Sequence, residues 1–455
     1  MEKQASFASE LLRGQLTHNL SLRDAALCTE LVMGSLRWQG KLDFIARRFT
    51  QGGWLKFDAE VRIALRLGIY QLLNLTRVPA HAAIGESVEL VKRAGKTSAA
   101  GLVNAVLRKA SALAHGSNFA NLRPVGISDL EWKTIEWAYP DWLLARWAAR
   151  LGIAQAALRA ESSNQAPVVY VRGNQADSAE KILEDLIAAN VNATPSAILK
   201  DCITILGGEV TATGLYHRGE IAIQDQASQL IPLLLDVRPG HRVLDLCAAP
   251  GNKTALLARY AGASGNSTQG RVIAGDLHHH RLRYSMVPAM ASGGPNPAAN
   301  IHRVVLDGTQ PLPFGVVFDR ILVDAPCSGT GTLRRNPEIK WRLQPEAIPQ
   351  LAALQFNLLD RAAAALLPGG RIVYSTCSFE PEENRGVVEA FLASHSEFRL
   401  VRLREESPRL TPFMREASDP RVGNLLAADY LETSPEQNAT DGFFAALLQR
   451  SGTEV

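Results

Sequence analysis

Five short β-rich runs follow one another with helical stretches between them: RVLDL (Arg242–Leu246), RVIAGD (Arg271–Asp276), HRVVLD (His302–Asp307), DRILVDA (Asp319–Ala325) and GRIVYST (Gly370–Thr376). Strands separated by helices must be joined by crossovers, so this alternation predicts an α/β domain built on a doubly wound parallel sheet. Such sheets bind ligands beyond the carboxyl ends of their strands. The ends here carry Asp245, Asp276, Asp307 and Asp324, and Cys377 follows the last run. One acid at a strand end is unremarkable, but four in succession mark a site.

The 455 residues exceed one ordinary domain. Residues 1–126 read as helices throughout, with LRDAALCTELVMGSLRWQGKLDFIARRF as an amphipathic helical run, Asp24 near its start and Arg47–Arg48 near its end, as the helix dipole prefers. Residues 127–236 read as a linker and a small α+β segment, with a helix pair in EWAYPDWLLARWAARLG, strands in APVVYVRGN and AILKDCITILGG, and a helix in SAEKILEDLIAANV. Residues 237–455 hold the alternating sheet. The N-terminal stretch lacks the apolar core of a signal peptide and no apolar run is long enough to cross a bilayer, so a cytoplasmic, membrane-free protein is expected. Net charge is +3, but residues 1–126 carry 17 Lys and Arg against 9 Asp and Glu, a balance of +8. That asymmetry suits a polyanionic partner for the first domain, though solvated helix faces are also often basic.

The five cysteines, Cys28, Cys202, Cys247, Cys327 and Cys377, are scattered and form no C-x-x-C pair, which argues against a disulfide framework or a zinc site. Cys28 and Cys202 are expected to be small buried hydrophobes. The run His278–His280 is not expected to bind metal, because adjacent side chains on a helix diverge. GASGNSTQG, Gly262 to Gly270, reads as a surface loop.

DLCAAPGNKTALLA, Asp245 to Ala258, joins a strand to a helix through small residues, which lets backbone approach a ligand. It matches neither G-x-G-x-x-G nor G-x-x-x-x-G-K-[ST], so dinucleotides and nucleoside triphosphates are poorly supported. Asp276, at the end of the next strand, can accept both hydroxyls of a ribose.

Together, LDLCAAPGNKT, LVDAPCSGTGTLRRNPEIKWR, YSTCSFEPEEN and DGFFAALL closely resemble the RNA 5-methylcytosine methyltransferase family, in the family's order and over nearly the whole chain. The basic helical region in front, with RVPAHAAIGESVELVKRAG and GLVNAVLRK, resembles the NusB-like RNA-binding domain of the bacterial members that act on 16S rRNA. The resemblance implies a Rossmann-like S-adenosyl-L-methionine methyltransferase domain, that cofactor, and 16S rRNA as partner, free or in an early assembly intermediate. A monomer without metal is the expected form. Cys247, Ala248, Ala249, Pro250, Gly251, Asn252 and Lys253 would surround the methionine part of the cofactor. Asp276 would hold the ribose with Arg281 supporting that wall, Asp307 would lie beside the adenine, and Asp324 near the methionine amino group or the target base. Asn252 stands where the family has a second glycine, and SPEQNAT lacks a basic pair common before DGFF. Asn tolerates left-handed backbone, so cofactor binding is expected to survive.

Cytosine carbon 5 is too electron-poor to attack a methyl donor. A thiolate added to carbon 6 turns the ring into an enamine whose carbon 5 is nucleophilic, after which the carbon 5 proton must leave and the sulfur be expelled. The motifs alone admit either sulfur as the attacker; the resemblance implies Cys377 as nucleophile and Cys327 in product release. Asp324 could hold the cytosine edge. Lys340, Trp341 and Arg342 combine charge with an aromatic face that suits an RNA strand, although a packed Trp with basic neighbours looks the same in sequence. Arg172 and Asn174, in YVRGN, match a recurrent motif of the family's small RNA-recognition-like segment and are RNA contacts by that analogy. Two other functions stay open: a catalytically inert RNA-binding or antitermination factor, against which the paired cysteines count, and the same chemistry on tRNA or large-subunit rRNA.

Overall fold

The computed structural model describes residues 8–13, 20–50, 53–114, 119–174, 179–262, 270–284 and 300–452, and they form two compact units. One comprises Met1–Ala166 with Leu333–Pro345, the other Pro167–Thr332 with Glu346–Val455. Most of the GASGNSTQG stretch and much of the N-terminal stretch read for a signal peptide lie outside the described residues. Among those described, no helix is long and apolar enough to cross a membrane.

The first unit is helical. Leu22–Arg37, Gln39–Phe49, Ala59–Asn74, Ala80–Arg93 and Ala100–Ala114 bury Leu42, Ile45, Leu65, Ile69, Val91, Val103 and Leu107 in one core. Ser21 caps the first of these by accepting from Asp24 N at 3.1 Å, so Asp24 sits in the first turn as the dipole requires. The run expected to continue to Phe49 is two helices, broken at Trp38. The reason lies in a segment distant in sequence: Trp341 Nε1 donates to Leu36 O at 2.7 Å, and its ring lies so close to Gly40 that a Cβ there would be 2.7 Å from it. Three more helices, Asp129–Glu136, Asp141–Leu151 and Ile153–Ser163, belong to this unit rather than to the middle segment. Ser128 and Glu131 form a capping box at the start of the first.

These contacts correct two RNA-binding expectations. Lys340 is buried, with Nζ donating to Asn164 Oδ1 at 2.8 Å and lying 4.0 Å from the Tyr139 ring centroid, and Trp341 is spent on the helix break. Positive charge and an aromatic ring side by side serve packing as well as they serve RNA. Arg342 alone of the three is exposed.

The second unit holds two sheets. In the smaller, β1 (Val169–Gly173), β2 (Asn192–Pro195), β3 (Cys202–Gly207) and β4 (Ile221–Ile223) form an antiparallel sheet in the order β2-β3-β1-β4, backed by the helix Ala179–Ala188 through Val171, Ile182, Leu186 and Ile203. Sequence reading finds β1, β3 and the helix but not β2 and β4, which are too short to show a period. Cys202 is buried as expected, whereas Cys28 is only half-buried.

The larger sheet contains β5 (Arg242–Asp245), β6 (Arg271–Asp276), β7 (Ile301–Val305), β8 (Phe318–Asp324), β9 (Leu366–Thr376), β10 (Phe398–Val401), β11 (Leu431–Glu432) and β12 (Phe444–Arg450), ordered β10-β12-β9-β8-β5-β6-β7 with β11 beside β12. The five expected strands are parallel, from β7 across to β9. One edge adds strands beyond these five, with β12 running antiparallel to both β9 and β10. Alternation along the strands divides the core: Val243, Leu322 and Val373 pack with Leu257 on one face, and Leu244, Ile321, Val323 and Ile372 with Leu358 and Leu359 on the other.

Burial holds the Lys340 amine well below its ordinary range, and the nearby Arg37 charge adds to this. A lysine that protonates more weakly when folded makes stability rise with pH, from its folded pKa up to the unfolded value of about 10.4. Chemical denaturation of wild type and Lys340→Met from pH 7 to 10 should therefore show wild type gaining stability relative to the variant as pH rises. Parallel curves would contradict it.

Candidate active site

Strand order reverses between β5 and β8, and the chain leaves both strands into the crevice this creates. The turn after β5 is pinned on both sides: Leu246 N donates to Leu322 O at 2.9 Å and Ala248 N to Gly275 O at 2.8 Å. Asp276, at the end of β6, accepts from Ala249 N at 3.0 Å and His278 N at 2.9 Å, so one carboxylate fixes the turn and the start of the next helix. The left-handed residue of the turn is Gly251, at φ +97°, while Asn252 simply opens the helix Asn252–Gly262. The backbone reason expected for tolerating Asn252 in place of the family's second glycine therefore does not apply: no left-handed backbone is needed at Asn252.

A recess of about 100 Å³ is lined by Asp245, the Cys247–Lys253 turn, Ser228 and Asp324. Asp245 is buried, with Oδ2 accepting from Thr254 Oγ1 at 2.6 Å and Oδ1 without a partner. Burial pushes its carboxyl up to about 7, against the Thr254 hydrogen bond. An unpartnered buried acceptor in a recess made of small residues fits a ligand that brings a donor or a cation, as the amino group of S-adenosyl-L-methionine would. Burial, and then the Asp245 charge, hold the Cys247 thiol well above its usual range. Asp307 is exposed and accepts from Thr309 N and Oγ1, whose hydrogen bonds lower its carboxyl, and Arg281 is also exposed.

Lys253 Nζ meets Asp324 Oδ2 at 2.5 Å, Ser375 Oγ donates to Asp324 Oδ1 at 2.7 Å, and the amine lies 5.1 Å from the Phe443 ring centroid. Burial works against the Lys253 charge, but Asp324 outweighs it and the amine is raised. Beyond this pair, the turns after β8 and β9 bring Cys327 and Cys377 together, with their sulfurs 3.4 Å apart and unbonded. The hydrogen bond to Cys377, then burial and the charges of Cys377 and Glu383, drive the Cys327 thiol well above its ordinary range.

Three turns interlock around the sulfurs. Gly331 N donates to Cys377 O at 2.9 Å, Gly442 N to Gly331 O at 2.8 Å, and Phe379 N to Thr330 Oγ1 at 2.9 Å. Beneath them Glu383 accepts from both Ser328 and Ser378, the residues that follow the two cysteines. Sequence reading missed Glu383, Thr330, Ser375 and the Gly331–Gly442 contact; the acidic PEEN run and the DGFF motif were the signals available. Arg172 and Asn174 are corrected as RNA contacts. Both are buried: Arg172 bonds Gln224, Asn174 and the Asn252 carbonyl, and Asn174 donates to Gly219 O, so the pair ties the small sheet to the β5 turn. Among the described residues, no three His, Cys, Asp or Glu side chains gather as a metal site, His278–His280 included.

Residues 232–449 match the family model described as 16S rRNA methyltransferase RsmB/F, residues 1–112 the NusB family, and residues 139–210 a ferredoxin-like domain of RsmF/B-like methyltransferases. The chain is 34% identical to the ribosomal RNA small subunit methyltransferase B of Pseudomonas putida, over 94% of this chain and 90% of that one. It is 33% identical to the protein of the same name from Sodalis glossinidius, with the same coverage. Among solved structures, PH0851 superposes with a TM-score of 0.75 at 25% identity, covering 95% of this chain and 92% of that one.

A Cβ on Gly331 would lie 2.0 Å from Gly442 O and 2.9 Å from Cys377 O, both backbone atoms that cannot swing aside. Gly331→Ala should cost about 1–3 kcal/mol of stability, as overpacking does, and distort both cysteine turns. Denaturant unfolding together with thiol-alkylation rates at Cys327 and Cys377 checks this; unchanged values for both would refute the interlock.

Proposed function

The chain belongs to the 16S rRNA methyltransferase RsmB/F family, and from that membership we propose that it methylates carbon 5 of a cytosine in 16S rRNA through a covalent bond between Cys377 and carbon 6 of the base. The observation that carries this reading is the approach of the Cys327 and Cys377 sulfurs to 3.4 Å beside the Lys253–Asp324 pair. A binding module has no need of such a pair.

S-Adenosyl-L-methionine, when bound, supplies an electrophilic methyl group. Asp245 and the Cys247–Lys253 turn would hold its methionine end, Asp276 its ribose with Arg281 nearby, and Asp307 its adenine. Cys377 adds to carbon 6 while Asp324, oriented by Ser375 and Lys253, accepts a hydrogen bond from the exocyclic amino group and holds the cytosine edge in place. Once Cys377 is bonded to the base its hydrogen bond with Cys327, the largest influence raising that thiol, is lost, and Cys327 becomes free to assist removal of the carbon 5 proton and release of the product.

The helical first unit, with its basic excess, is the proposed rRNA-binding part, followed by the small ferredoxin-like segment and the catalytic sheet as the second and third domains. Binding to RNA phosphates should weaken steeply with salt. Choice of 16S rRNA over tRNA or large-subunit rRNA follows the relatives' names, and labelled methyl in tRNA with none in 16S rRNA would reverse it.

Wild type, Cys377→Ala and Cys327→Ala, each incubated with labelled cofactor and unmodified 16S rRNA, test the scheme. Wild type should transfer methyl, Cys377→Ala should transfer none, and Cys327→Ala should accumulate a gel-stable protein–RNA adduct. An adduct in Cys377→Ala instead would exchange the two roles, and no transfer by wild type would refute the activity.

The raised Asp245 carboxyl gives a pH test. A cationic amino group beside it favours the ionised form, so binding should lower its pKa from about 7 and release protons. Cofactor affinity should therefore fall as pH drops below 7. Calorimetry in buffers of different ionisation enthalpy measures the release, and proton uptake or none would remove Asp245 from the cofactor site.

A further inference from the structure

Glu383 lies six residues after Cys377 in the run Pro381–Asn384 and is fully buried, yet no lysine or arginine is its hydrogen-bond partner in the cluster around it. Its carboxylate accepts from four donors: Ser328 N at 2.8 Å, Ser328 Oγ at 2.5 Å, Ser378 Oγ at 2.5 Å and Gln355 Nε2 at 3.0 Å. The four contacts use both oxygens of the carboxylate. Two of the donor residues are the immediate successors of Cys327 and Cys377. Their hydroxyl oxygens also lie 3.0 Å from each other.

The other partners brace the same point. Gln355 donates to Pro326 O at 2.9 Å, just before Cys327, as well as to Glu383, and the buried Tyr374 hydroxyl shares its one proton between Gln355 Oε1, at 3.1 Å, and the Glu383 carbonyl. Glu383 thus grips both cysteine turns, and it does so through the residue next to each sulfur. Nothing in it touches the recess or the sulfurs directly.

We propose that Glu383 is a positioning residue for the cysteine pair: by binding Ser328 and Ser378 at once, it sets the separation and aim of the Cys327 and Cys377 sulfurs. The proposal rests on the reading of these cysteines as the reacting pair. A burial site that needed only volume would be filled by an apolar side chain at lower cost, since an unpaired buried charge is expensive. The negative charge has a second effect, as one of the influences that keep the proton on Cys327.

The test uses the full-length protein with Glu383→Gln and Glu383→Ala. Glutamine keeps the volume but supplies one acceptor oxygen in place of two. Dibromobimane, which bridges thiols a few ångströms apart, reads the Cys327–Cys377 geometry by peptide mapping without any substrate. Labelled methyl transfer to 16S rRNA gives kcat and KM, and calorimetry gives cofactor affinity. Both variants should lose the bridged peptide, with alanine the more severe, and kcat should fall about 100-fold, the scale of a misplacement of about 1 Å. Cofactor affinity should stay at the wild-type value, and the pH–rate profile should shift as the Cys327 proton is released more easily. If Glu383→Ala does not fold, Glu383→Gln decides alone. Wild-type bridging and kcat in a folded variant would overturn the proposal, as would a kcat loss matched by an equal loss of cofactor affinity and no change in bridging. Bridging that depends on Glu383 in a wild type that transfers no methyl would uphold the positioning role while sinking the methylation reading.

Discussion

Reversal of strand order between β5 and β8 fixes where the chemistry can occur. From β5 the chain turns to one side and forms the Cys247–Lys253 turn; from β8 and β9 it turns to the other and delivers Asp324, Cys327, Ser375 and Cys377. The ion pair of Lys253 with Asp324 spans the crevice between the two sets. Both members are largely buried, so removing either one leaves the other without its partner, at a cost of about 3–5 kcal/mol in comparable pairs. The antiparallel strand β12 adds the last wall, because its register beside β9 brings Gly442 against Gly331 and Phe443 near Lys253.

Three of the five cysteines belong to these turns, yet they are not equivalent. Cys247 lines the turn after β5, buried among acids that disfavour a thiolate, whereas Cys327 and Cys377 face each other at 3.4 Å, with the hydrogen bond between them and burial raising the Cys327 thiol. Position in the fold therefore distinguishes identical side chains, which the separate motifs do not reveal.

Much of this was legible in the sequence because it rests on local pattern. Strand-ending acids at Asp245, Asp276 and Asp324 follow from a two-residue period meeting a turn, and the helical first unit follows from three- and four-residue spacing. What escaped depends on contacts far apart in the chain. Trp341 breaks a helix some 300 residues before it, Lys340 disappears into the same packing, and Arg172 reaches the Asn252 carbonyl. A basic residue beside an aromatic one has the same local signature whether it faces RNA or a core. Likewise β12 was hidden because DGFFAALL reads as apolar without saying which neighbours it pairs with, and Glu383 because an acidic run normally suggests a solvated surface.

The central claim is that the Cys377 sulfur bonds to the base while Cys327 stays free to release it. RNA carrying 5-fluorocytidine blocks the final proton removal, so incubating it with wild-type protein and S-adenosyl-L-methionine should trap the covalent complex, and digestion with mass spectrometry should find the nucleotide on the peptide containing Cys377. A nucleotide on the Cys327 peptide, or no trapped complex, would contradict the account.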